Sequence, residues 1–153
     1  MYGKMILPTD GSELAHVGIE EGLKAAKKFD IPAVAIYVLS PTSYSHSYIG
    51  YDMGDIDVGA HEAIRKGLKK QGEKVLKEIE KDADEIGVKL KTKIVEGTPY
   101  KEICRLAKKD DIIYISSHGR SGISSLFLGS TTDRVIKHTK ATVSVVKAKN
   151  DER

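Results

Sequence analysis

The sequence predicts an α/β protein with an open, five-stranded parallel sheet and helices on both faces. Three observations point there. Five short apolar or alternating segments of strand length recur along the 153 residues, each bounded by turn residues. The stretches between them carry apolar residues at helical spacing. Strands alternating with helices in this way call for parallel pairing through crossover helices, which bury both faces of the sheet.

Met5–Leu7 is the first strand, entered from Met1-Tyr2-Gly3-Lys4 and followed by Pro8. The run is far too short for a signal-peptide core or a spanning helix. From Ser12 to Phe29 a first helix places Ala15, Gly18, Gly22 and Ala26 on one face, small residues suited to lying closely on a sheet. Val34–Val38 is the second strand. Leu39–Ala60 has neither helix nor strand periodicity, a length that in a compact domain implies a lid, a binding loop or disorder. A long helix over 61–86 follows, with Ile64, Leu68, Val75, Ile79, Ala83 and Ile86 on one stripe. Gly67 and Gly72 inside it cost about 1 kcal/mol each relative to alanine, which points to a kink or close packing. Val88–Val95 alternates Val88, Leu90, Thr92 and Ile94 with Lys89, Lys91 and Lys93, the pattern of an edge strand guarded by lysine. Thr98-Pro99 reads as an N-cap and a first-turn proline, opening a helix through Lys108. Ile112–Ile115 is the fourth strand. Ser130-Thr131-Thr132-Asp133 has capping-box spacing and opens the last helix, whose end carries Lys137, His138 and Lys140 where the dipole favours cations. Thr142–Val146 is the last strand, and 148–153 forms a C-terminal tail. The whole chain, 1–153, is expected to be one domain.

Composition narrows the class. Hydrophobic residues make up 40%, charged residues 31% and aromatics 6%, with no tryptophan, as in an ordinary soluble globular protein. The net charge of +3 is unevenly placed: residues 1–60 carry 4 basic and 8 acidic side chains, and residues 61–153 carry 21 and 14. A nucleic-acid footprint is more basic and more clustered, so neither nucleic acid nor membrane is an expected partner. The single cysteine, Cys104, excludes an internal disulfide and a thiolate zinc cluster, and fits a reducing, cytoplasmic location. It lies beside Ile103 and Ala107 on a helix and reads as a small buried side chain.

A ligand of such a sheet sits beyond the carboxyl ends of the strands, where strand order reverses. Pro8–Ser12, Leu39–Ala60 and Ser116–Ser130 follow such ends. The richest is Ser116-Ser117-His118-Gly119-Arg120-Ser121-Gly122, continuing to Gly129-Ser130-Thr131-Thr132-Asp133. Glycines let backbone amides approach an anion, and a helix N-terminus adds free N–H groups and partial positive charge. Ser130, Thr131 and Arg120 add donors. The plainer reading is a long Gly/Ser connection in which Ser130 only caps its helix. A Walker loop, a dinucleotide fingerprint and a nucleophile elbow all fail on spacing here.

Asp10, in Pro8-Thr9-Asp10-Gly11-Ser12, is placed to accept hydrogen bonds from a ribose hydroxyl or a base. Its plainer role is a turn aspartate, with Ser12 capping the next helix. A phosphoacceptor role would need neighbouring acids to hold magnesium, and only Glu13 is near. Asp52, Asp55 and Asp57 in the long loop match no calcium-loop spacing. His118 stands next to the glycine-rich loop without an evident catalytic partner and reads as fold support.

Asp10-Gly11-Ser12 after the first strand, Ser117-His118-Gly119-Arg120-Ser121-Gly122, Leu128-Gly129-Ser130 and the closing Val143-Ser144-Val145-Val146 together resemble the universal stress protein family, from end to end of the chain. The resemblance implies a Rossmann-like, adenine nucleotide alpha hydrolase-like domain, usually a homodimer. Its ATP-binding members carry Gly-x-x-Gly, nine residues, then Gly-Ser/Thr. Here the second glycine is Gly119, the nine residues run from Arg120 to Leu128, and the closing pair is Gly129-Ser130. The first glycine falls on Ser116. If only the Ser116 backbone faces a nucleotide, the serine is tolerated and its hydroxyl is a further donor; if the position needs positive φ or has no space for a Cβ, binding fails.

The resemblance further implies that Thr9 and Asp10 meet the adenine and ribose, with Val38 backbone groups at the base. Gly119, Gly129, Ser130 and Thr131 would hold phosphates. Pro8, Ser116, His118 and Gly122 complete the candidate set, and Arg120 adds charge by its chemistry rather than by family pattern. The implied function is regulatory binding of ATP, ADP or AMP, with at most slow hydrolysis, no catalytic residue, no metal site of the protein's own, and Mg or Mn carried through the phosphates. The competing readings are a dimerisation module of the same fold that binds no nucleotide, and a hydrolase using Ser117 or His118. Val143, Val145 and Val146 would form an exposed apolar edge, so a homodimer across the last strand is expected.

Overall fold

The computed structural model describes residues 1–41, 58–118 and 127–147. Strands and helices alternate in the order β1 (Met5–Thr9), α1 (Glu13–Phe29), β2 (Ala33–Leu39), α2 (Val58–Ile86), β3 (Leu90–Glu96), α3 (Pro99–Leu106), β4 (Ile112–Ser116), α4 (Ser130–His138) and β5 (Thr142–Val146). The five strands form one sheet in the order β3-β2-β1-β4-β5, and every pairing in it is parallel. The lysine-guarded strand is indeed an edge, and β5 is the other.

Successive side chains of a strand point to opposite faces, and both faces here are apolar. Met5, Leu7, Ala33, Ala35 and Tyr37 pack with Ile19, Leu23 and Ala26 of α1 and Leu76, Ile79 and Ala83 of α2. Their neighbours Ile6, Val34, Ile36, Ile113 and Ile115 pack with Ile103 of α3 and Val135 of α4. Two helices therefore cover each face.

The Ser12 hydroxyl caps α1 by accepting the Ala15 N–H at 3.1 Å, and Asp30 ends the helix in the left-handed region at φ 54°. The small-residue face of α1 allows a very close approach: a Cβ on Gly18 would stand 2.8 Å from the backbone nitrogen of Ser116, and one on Gly22 would collide with Leu7. In α2 the two glycines differ. A Cβ on Gly72 would lie 2.7 Å from the Tyr37 ring, whereas one on Gly67 meets nothing within 4 Å among the described residues. Close packing thus accounts for Gly72 alone.

Several boundaries depart from sequence expectation. β1 runs on through Pro8 and Thr9, in register with Ile36 and Tyr37. The segment 39–60 is not all loop: Leu39 belongs to β2 and 58–60 to α2, and 42–57, with the three loop aspartates, lie outside the described residues. β3 begins at Leu90. Thr98 stands at the N-cap of α3 without a side-chain cap bond, Pro99 takes the first turn, and the helix ends at Leu106 rather than Lys108. Gly129, not Ser130, is the N-cap of α4. Cys104 is only partly buried.

At the amino end of the sheet, Asp111 is 3% exposed and accepts from the Lys4 ammonium and, at 2.8 Å, from the Lys108 N–H. This ion pair joins the entries of β1 and β4.

Candidate functional site

The order β3-β2-β1-β4-β5 reverses direction between β1 and β4. From β1 the chain turns into α1 on one face, and from β4 it leads to α4 on the other. Connections that diverge in this way leave a crevice beyond the carboxyl ends of the two strands.

Hydrogen bonding shows where the strands part. The β1–β4 register covers Met5↔Ile112 and Ile6↔Ile113, while β1–β2 continues to Thr9↔Tyr37 and β4–β5 to Ser116↔Val146. Residues of a parallel strand direct their backbone groups alternately to one neighbour and the other. The Met5 N–H donates to Pro32 O on the β2 side, so the Pro8 nitrogen faces β4, and proline has no proton to give. The ladder ends there.

On the β1 rim, the turn after the strand is built from its own side chains. The Gly11 N–H donates to Thr9 Oγ1 at 3.0 Å, and the Ser12 N–H donates to Asp10 Oδ1 at 2.9 Å. Gly11 has φ 81°, which favours glycine. Thr9 is buried, and Asp10 and Pro8 are half-buried. Val38, also half-buried, lies on the adjacent strand, in register with Val95.

On the β4 rim, the Ile112 N–H donates to Lys4 O and the Ser117 N–H to Val146 O. By the same alternation the Ser116 carbonyl faces the β1 side, beyond the last residue of β1. There it accepts the Thr132 hydroxyl at 2.8 Å. The Ser116 hydroxyl turns back and donates to His118 O at 2.7 Å. Ser116 has no positive φ; Asp30 is the sole non-glycine residue that does among those described. Of the two ways in which a serine could be incompatible here, the conformational one is therefore absent.

The Gly129 N–H donates to Ser117 O at 2.7 Å, and Gly129 O accepts the Asp133 N–H that opens α4. The first N–H groups of a helix have no acceptor within it, so those of Ser130, Thr131 and Thr132 gather where the dipole is positive. Ser130 is exposed and Thr131 half-buried. His118 Nδ1 lies 3.1 Å from Ser117 Oγ, and its buried Nε2 has no hydrogen-bond partner among the described residues.

The fold thus brings Pro8, Thr9, Asp10 and Val38 to the same end of the sheet as Ser116, His118, Gly129, Ser130 and Thr131. Gly119, Arg120 and Gly122 lie outside the described residues. Two residues outside the expected set belong to the framework, Ser117 and Thr132. Thr132 is 3% exposed and stands three positions before the fully buried Val135, an inward spacing visible in the sequence. Among the described residues, no group of three or more His, Cys, Asp or Glu side chains is arranged to hold a metal ion, and no helix is long and apolar enough to cross a membrane.

Sheet order and polar rims together define a doubly wound α/β protein with its crevice at the strand-order reversal. Residues 1–147 match the model of the universal stress protein family, and the chain belongs to that family. It is 36% identical to universal stress protein MJ0531 of Methanocaldococcus jannaschii over 99% of this chain and 86% of that one. It is 30% identical to universal stress protein MJ0577 of the same organism, over 98% of each chain. The solved structure of MJ0577 superposes with a TM-score of 0.78 over 99% of both chains. A universal stress protein family member from Arabidopsis thaliana with AMP bound shares the fold at 19% identity, with a TM-score of 0.67 over 98% of this chain and 94% of that one.

Proposed function

We propose that this protein binds ATP or a related adenine nucleotide in the crevice between β1 and β4 and uses it as a regulatory ligand. The observation that carries this is the convergence of an acceptor-bearing rim, Thr9 and Asp10, with a donor-bearing rim, the α4 N-terminus at Ser130 and Thr131. Acceptors suit the hydroxyls of a ribose and the amino group of a base; unpaired N–H groups at a positive dipole end suit phosphates. The AMP-bound family member from Arabidopsis supports an adenine nucleotide as the ligand class.

Gly119, Arg120 and Gly122 complete the phosphate side in this proposal, and Mg or Mn would enter on the phosphates. Hydrolysis is slow at most. A mass spectrum of the protein after purification and denaturation tests the proposal, with released ATP, ADP or AMP the expected result.

The proposal includes a homodimer formed across β5. Among the described residues that strand pairs with β4 alone, and Val143, Val145 and Val146 on it are half-buried. Phe127 and Leu128, just before α4, are 72% and 43% exposed. These apolar residues also favour the second reading, a dimerisation module without nucleotide. A dimer mass by light scattering together with a nucleotide-free spectrum would select it.

A further inference from the structure

Every backbone group that the sheet leaves unpaired at its switch point must find another partner if it is buried. The Ser116 carbonyl is such a group: Ser116 is 6% exposed and its carbonyl faces the β1 side past the end of that strand. Thr132, 3% exposed, supplies the missing donor at 2.8 Å from the third residue of α4. One residue along, the Ser117 carbonyl takes the Gly129 N–H at 2.7 Å. The Ser116 hydroxyl fastens the His118 carbonyl at 2.7 Å. The end of β4 and the start of α4 are therefore tied by two adjacent hydrogen bonds, one of them from a side chain.

We infer that Thr132 is a positioning residue, one that fixes the N–H groups of Ser130 and Thr131 relative to the end of β4. It therefore sets affinity for the phosphate chain of a nucleotide and not for its nucleoside. This rests on the nucleotide-binding proposal. Thr132 touches no ligand in it; its hydroxyl is spent on Ser116. Valine has nearly the shape of threonine but no donor, so Thr132→Val leaves a buried carbonyl unpaired and lets the helix start shift. Thr132→Ser keeps the donor.

The test is titration calorimetry of wild type, Thr132→Val and Thr132→Ser with ATP and with adenosine, with circular dichroism confirming the fold of each. Thr132→Val is expected to bind ATP about tenfold more weakly, the loss of roughly one hydrogen bond, and adenosine within about twofold of wild type. Thr132→Ser is expected to restore ATP binding. Unchanged ATP affinity in Thr132→Val, or equal losses for ATP and adenosine, overturns the inference while leaving nucleotide binding standing. Wild type that gives no heat with ATP overturns the underlying proposal instead. If Thr132→Val does not fold, Thr132→Ser decides: ATP affinity near wild type supports the role and a tenfold loss refutes it.

Discussion

Gly18 of α1 lies against the backbone of Ser116, so close that a Cβ on the glycine would stand 2.8 Å from the Ser116 nitrogen and 3.3 Å from the Ile115 carbonyl carbon. The contact is with backbone, which cannot rotate away. Gly18→Ala should therefore push α1 off β4 at the edge of the crevice and cost about 1–3 kcal/mol, the usual scale of overpacking. Urea denaturation measures it; an unchanged midpoint would show that the helix moves without penalty.

The two glycines of α2 predict opposite signs. Gly67→Ala adds a methyl group that meets nothing within 4 Å among the described residues and should stabilise the helix by about 0.5–1 kcal/mol. Gly72→Ala places its Cβ against the buried Tyr37 ring and should destabilise. Thermal melts of the two variants, run side by side, check the difference; equal shifts would refute the packing assigned to Tyr37.

This contrast shows what the sequence makes legible. The small face of α1, the lysine alternation of β3 and the five strand positions are periodic patterns, and each finds its place in the sheet. Gly67 and Gly72 look identical in the sequence because the ring that separates them arrives from β2. The extension of β1 through Pro8 is hidden for a similar reason: proline argues against a strand until one knows that its nitrogen faces the side where pairing ends. Within the site, Asp10, Ser116 and Gly129 are legible as a motif. The inward spacing of Thr132 is visible too, but its tie to Ser116 and the Lys4–Asp111 pair are not, since those partners lie 16 and 107 positions apart.

The Lys4–Asp111 pair is buried on its acid side, with side-chain exposures of 23% and 4%. Removing one partner of such a pair strands the other charge. Lys4→Met should cost about 3 kcal/mol, within the range for broken buried pairs, and the double variant Lys4→Met/Asp111→Leu should recover part of it. A double-mutant cycle by chemical denaturation measures the coupling; additive losses would mean that the two groups do not interact.

Burial raises the Cys104 thiol above its ordinary range, and a hydrogen bond with Thr139 offsets part of that rise. The thiolate is the reactive form, so Cys104 should alkylate more slowly at pH 8 than an unhindered cysteine, with its pH profile displaced upward. Because the folded value is the higher one, the stability associated with it is complete below the unfolded thiol's range and declines as pH rises through the folded value. Iodoacetamide labelling followed by mass spectrometry checks the rate. Labelling as fast as a free thiol would contradict the burial effect.

Nucleotide binding itself is tested most directly by isothermal titration of nucleotide-stripped protein with ATP, using wild type, Asp10→Ala, Gly129→Val and Ser116→Gly. Saturable ATP binding in the micromolar range is expected for wild type. It should weaken at least tenfold, about 1.4 kcal/mol, in Asp10→Ala and Gly129→Val. Ser116→Gly, which removes the tie to His118 O, should bind ATP no better than wild type. The absence of any heat with ATP, ADP or AMP in wild-type protein would contradict nucleotide binding outright.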